Sequence, residues 1–95
     1  MDKNKRGSSA GKNSPIENPS LIFSTYDLGM SAALMCLGFK LEHLNRGNPN
    51  KALFIFKKEK GIEAIANKYF TDQLEVKARS FFDHLKALKN RLYSE

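Results

Sequence analysis

A single cysteine, two histidines and no apolar run of membrane length leave this 95-residue chain with few of the usual means of bracing a small fold or doing chemistry. Cys36 has no partner with which to form an intramolecular disulfide, and a lone cysteine fits a reducing compartment. Cys36, His43 and His84 lie far apart, and no two share ligand spacing within one element, so the sequence offers no zinc site. No phosphate-cradling loop is present: Gly7-x-x-x-Gly11-Lys12-Asn13-Ser14 has the wrong spacing and does not join a strand to a helix. Lys3, Lys5 and Arg6 resemble the basic start of a signal peptide, but Gly7 to Ser20 contains no apolar stretch to follow it. The uncharged run Leu28 to Phe39 is about a dozen residues long, well short of the ~20 needed to cross a bilayer. These absences predict a soluble cytoplasmic protein with no metal, no cofactor and no membrane contact.

What is present is positive charge, one apolar run and clear periodicity. The formal net charge is +6. Residues 1–20 are rich in Lys, Asn, Ser, Gly and Pro with almost nothing apolar, and they predict a flexible basic arm ahead of a single domain over residues 21–95. About 75 residues make a marginal core. A chain of that size with no covalent or metal staple gains from self-association.

Leu21-Ile22-Phe23 predicts a first strand. A helix from about Thr25 to Leu37 follows: Ser24 and Thr25 both offer N-caps, Asp27 takes the capping-box position with Ser24 as cap, and Gly38 is the stop. This helix is apolar on nearly every side. Leu28, Ala32 and Met35 share one face, Met30, Leu34 and Leu37 line the opposite one, and Gly29, Ala33 and Cys36 form a small-residue stripe between them. A helix of that kind must be sandwiched in a core or pressed against a partner. Phe39 to His43 alternates like a half-buried strand, and Arg46-Gly47-Asn48-Pro49-Asn50 is a dense turn signal. Lys51 to Lys57 completes a hairpin. Its two apolar faces, Ala52/Phe54/Phe56 and Leu53/Ile55, predict a central strand covered on both sides. Ile62, Ile65, Ala66 and Tyr69 form the stripe of a second, poorly capped helix that Thr71-Asp72-Gln73 ends. Ala78, Phe81, Leu85, Leu88 and Leu92 form the stripe of a third. The predicted fold is α+β in the order β-α-β-β-α-α: a small antiparallel sheet of two or three strands with three helices.

The order Thr25-x-Asp27-Leu28, Gly38-Phe39, Phe54-x-Phe56, Tyr69, Ala78-Arg79-x-Phe81-Phe82, Leu85-x-x-Leu88-Lys89 and Leu92-Tyr93 resembles an uncharacterised family of small domains of unknown function from bacteria and their mobile elements. The resemblance spans roughly Phe23 to Tyr93. Its motifs are structural, and it implies a non-enzymatic accessory protein with no catalytic or binding residues to carry over. The chain departs from the family at Phe70-Thr71-Asp72, where an Asn-Gly-like turn is usual, and in its basic arm.

Ser80, Asp83 and His84 supply a nucleophile, an acid and a base by name. Asp83 and His84 point about 100° apart on a helix, so the acid is badly placed to orient the imidazole. The hairpin is the stronger candidate. Arg46, Lys51, Lys57, Lys58 and Lys60 give it a cationic tip and base suited to a phosphate backbone, with the arm alongside; lysines on exposed strand edges also deter aggregation. On the third helix Arg79, Phe82, Lys86, Lys89 and Tyr93 share a flank, a pattern suited to single strands. Phe82 and Tyr93 border the apolar stripe, which predicts that both pack against the sheet or a neighbouring helix. Met30, Leu34 and Leu37 would form an apolar patch if left uncovered. The leading expectation is a non-enzymatic protein that contacts nucleic acid through hairpin and arm. The alternative is a homodimer or protein-interaction module using Met30, Leu34 and Leu37, unless the third helix covers that face.

Overall fold

The computed structural model describes residues 21–48 and 51–94; the expected basic arm and the Pro49-Asn50 turn lie outside them. The elements are β1 (Ile22–Thr25), α1 (Leu28–Cys36), β2 (Leu41–Asn48), β3 (Lys51–Lys57), α2 (Ile62–Phe70) and α3 (Ala78–Tyr93). They form the predicted α+β order around a three-stranded antiparallel sheet, β1-β3-β2, with β3 in the centre.

The first helix starts later than the sequence predicts. Thr25 remains in the sheet opposite Phe54, so neither Ser24 nor Thr25 caps α1. Asp27 does: its Oδ1 accepts from the Met30 amide at 2.9 Å, and the Thr25 hydroxyl accepts from the Asp27 amide at 3.0 Å. Gly38 ends α1 as expected, with φ of 93°. The Phe39 amide donates back to the Leu34 carbonyl and the Gly38 amide to that of Met35, which satisfies two carbonyls the helix would otherwise orphan. Asp72, at φ 61°, does the same for α2, with the Gln73 amide on the Lys68 carbonyl and its own amide on that of Tyr69. An aspartate tolerates this left-handed conformation better than most side chains.

The hairpin register corrects the simple alternation read for β2. Leu41 faces Phe56 and His43 faces Ile55, so Glu42 is an extra residue in the ladder. A bulge resets the phase by one position. Leu41 and Leu44 therefore turn inward while His43 is exposed. A second shift lies between Asn45 and Asn48, and β2 runs through Arg46 and Gly47 as far as Asn48.

One core forms between the sheet and the helices. Phe54 and Phe56 meet Met30, Ala32 and Leu34 of α1, Ile62 and Ala66 of α2, and Leu88 of α3. Cover on the two faces of β3 is unequal: Ile55, flanked by Ser24 and His43, is buried on the far face without joining this cluster. The small-residue stripe of α1 lets neighbours approach closely, with Gly29 against Tyr69 of α2 and Cys36 against Ser80 of α3. The uncharged helix is thus the centre of the domain. Among the described residues, no helix is long and apolar enough to cross a membrane.

Candidate functional site

The five hairpin cations do not form one patch. Arg46 and Lys51 sit at the tip, whereas Lys57, Lys58 and Lys60 sit at the base, roughly 20 Å away along β3 at ~3.3 Å per residue. Arg46 is engaged in the fold: its Nη1 donates to the carbonyls of Arg91 and Leu92, each at 3.0 Å. A guanidinium there also complements the negative end of the α3 dipole. The Lys51 ammonium lies over the Tyr26 ring at 5.0 Å from its centroid. Lys58 pairs with Glu63 at 3.3 Å, while Lys57 and Lys60 project into solvent.

The Met30, Leu34 and Leu37 row is divided by the fold. Met30 and Leu34 are buried in the domain's own core, and Leu37 alone of the three is exposed, at 43%. Intramolecular cover, by α3 and the sheet, accounts for the first two.

On α3 the structure corrects the expected packing of the aromatics. Phe82 is 55% exposed and Tyr93 80% exposed, and neither belongs to the core cluster. The physical reason lies in the helix geometry: Leu88 and its neighbours form the face of α3 that packs into the core, and Phe82 stands about 100° round the helix from Phe81. Around the two rings are exposed Arg79, Lys86 and Lys89. The Lys86 ammonium lies 5.2 Å from the centroid of Phe82, and Arg79 pairs loosely with Asp83 at 4.0 Å. Here the sequence carried the signal, in the angular offset of Phe82 and Tyr93 from the leucine stripe.

A different group comes together without any such signal. The Ser80 hydroxyl donates to Cys36 Sγ at 3.5 Å, and His84 Nδ1 lies 3.7 Å from the same sulfur. His84 Nδ1 is also 2.9 Å from the Ser80 carbonyl oxygen. A carbonyl only accepts, so Nδ1 carries the hydrogen and cannot take a proton from the thiol. Asp83 turns toward Arg79 rather than the imidazole. An open groove of about 460 Å³ borders Cys36 and Ser80, walled by Leu37, Glu75, Val76 and Lys77. Among the described residues, no three His, Cys, Asp or Glu side chains converge in a way that could hold a metal ion. Cys36 and His84 are 48 positions apart, and only the packing of α1 on α3 joins them.

Among the described residues, Tyr69 has a perturbed titration. Burial pushes its phenol above the ordinary 10.0, and the Asp27 charge adds to the shift.

Comparison with curated proteins and with solved structures gives no match. A family model does match, and it covers residues 21–94, the whole of the β-α-β-β-α-α unit. The motifs that suggested a family resemblance have structural tasks within it: Asp27 caps, Gly38 stops a helix, and Phe54 and Phe56 fill the core. The chain belongs to DUF5659, a family of domains of unknown function.

Proposed function

We propose that this domain is a non-enzymatic accessory protein that binds nucleic acid. The observation that carries the reading is the outer flank of α3, where Arg79, Lys86 and Lys89 surround the exposed rings of Phe82 and Tyr93. Cations set among uncovered aromatics suit a partner that has both phosphates and π-faces. Lys57 and Lys60 at the hairpin base add to the positive surface, with Lys58 shared with Glu63. Arg46 is better assigned to holding the hairpin on α3 than to a ligand. The rival reading, association through α1, loses Met30 and Leu34 to the core and retains only Leu37. An accessory role on a phage, plasmid or integrated element would bring such a protein to nucleic acid, and the flanking genes are the observation that checks it.

The test is retention of the full chain on heparin and on immobilised DNA over a salt series. Binding should weaken steeply with salt, as counterion release requires. Reversal of Lys86 and Lys89 to Glu should lower the eluting salt, and reversal of Lys57, Lys58 and Lys60 reports what the hairpin base adds. No retention at low salt removes the reading.

A further inference from the structure

We infer that α3 takes a single strand with unpaired bases in preference to a duplex, one base resting on Phe82 and another on Tyr93; the inference rests on the nucleic-acid reading above. At roughly 100° per residue, Arg79, Phe82, Lys86, Lys89 and Tyr93 fall within a band about 80° wide. The core side chains Phe81, Leu85, Leu88 and Leu92 occupy a separate face. The band is therefore a continuous row of aromatic, cation, cation, aromatic, with Arg79 at its head.

The rings are free to act as platforms because the fold does not use them: both are more than half exposed and neither joins the core. Phe82 and Tyr93 are separated by about 16 Å at 1.5 Å of rise per residue. At the 3.4 Å spacing of a stacked strand that is about five nucleotides, and fewer for an unstacked one. Lys86 and Lys89 lie between the rings, where the intervening phosphates would run. Lys86 already rests on one face of Phe82, so a base takes the opposite face or displaces the ammonium toward a phosphate. Asp83 is the acidic group on this flank, and Arg79 screens it at 4.0 Å. In a duplex the base faces are hidden by their neighbours, so only the lysines would engage.

Sequence preference should be weak, since every base has a π-face and stacking is tolerant of sequence. The chemistry does not separate DNA from RNA, so the probes are oligothymidylate and oligouridylate of roughly 4–16 nucleotides, the span of known single-strand sites, against a duplex of matched length. Fluorescence anisotropy with the full chain should show the single strands binding about tenfold or more tighter than the duplex. Phe82→Ala and Tyr93→Ala should each weaken single-strand binding about tenfold, within the range for lost base stacking, and leave the salt slope unchanged. Phe82→Tyr and Tyr93→Phe should restore it. Lys86→Gln and Lys89→Gln should each reduce the slope by about 0.7, the value for one single-strand phosphate. Folding of each variant is checked by circular dichroism. Equal binding of duplex and single strand, with both alanine variants unaffected and the lysine variants weakened, would overturn this inference and leave the broader reading standing. Absence of binding to any probe at low salt would overturn both.

Discussion

The hydroxyl of Tyr69, in the last turn of α2, lies directly over the Cα of Gly29 in the first turn of α1, so closely that a methyl group on residue 29 would overlap it. Asp27, which caps α1, sits beside the same point. The phenol therefore sets how closely the two helices approach at this point. Gly29→Ala should forfeit the roughly 0.5–1 kcal/mol that alanine normally adds within a helix, and cost about 1 kcal/mol more as the ring is forced aside. Tyr69→Phe removes the overlapping oxygen, so Gly29→Ala should be nearly neutral in that background. Urea denaturation of the two single variants and the double variant should give a coupling of about 1 kcal/mol; additive effects would show that the contact carries no strain when residue 29 gains a methyl group.

Tyr69 also predicts an alkaline limit to stability. Its phenol ionises less readily in the folded chain than the ordinary 10.0 of an unfolded tyrosine. The unfolded state therefore loses its proton first. The contribution is fully present below pH 10 and is lost as pH rises from there through the folded value. The difference in unfolding free energy between the parent and Tyr69→Phe, followed across that range, should shrink as pH increases. A difference independent of pH would contradict the assignment.

Two helix stops test the value of a left-handed residue. Gly38 has φ of 93° and open space where a Cβ would be, so Gly38→Ala should cost about 1 kcal/mol through the backbone alone. Asp72 occupies the equivalent position after α2 at φ 61°. Asp72→Gly should raise stability by up to about 0.5 kcal/mol, the relief of the left-handed conformation being partly offset by greater freedom of the unfolded chain. Thermal unfolding should order the variants Asp72→Gly, parent, Gly38→Ala.

The Arg46 guanidinium joins the hairpin to the carbonyls of the last turn of α3. Arg46→Ala should destabilise the chain by about 1–2 kcal/mol, as expected for partly exposed charge-assisted hydrogen bonds. The amides of that last turn should exchange faster with solvent. A loss of polyanion retention without any change in exchange would instead make Arg46 a ligand residue.

Leu34 and Leu37 separate the core from the surface on one helix. Leu34 is fully buried, so Leu34→Glu places an unpaired charge among Phe54, Phe56 and Met30 and should abolish folding. Leu37→Glu, at a position 43% exposed, should fold with a change of about 0.5 kcal/mol or less. Size-exclusion chromatography with light scattering on Leu37→Glu tests whether the remaining exposed leucine holds two copies together; a shift from dimer to monomer would revive the association reading.

Much of the fold was legible because its determinants are local. The stripe Ile62, Ile65, Ala66 and Tyr69 specifies one face of a helix wherever it is placed, and Gly38 ends α1 by its own backbone freedom. The start of α1 was misread because Ser24, Thr25 and Asp27 are all competent caps. Pairing of Thr25 with Phe54 decided among them. The inward turn of Leu44 was hidden for a similar reason, since the bulge at Glu42 exists only in the register between two strands.

By itself the sequence determined the α+β class, the element order and the basic balance, because composition and periodicity act within a few residues of one another. Only the tertiary structure decided that Met30 and Leu34 are core, that Arg46 is a tie and that Cys36 meets His84. Each of those outcomes depends on which surface arrives opposite a side chain, and a surface 45 or more positions away along the chain, as for Arg46 with Arg91 and Cys36 with His84, leaves no trace in local pattern.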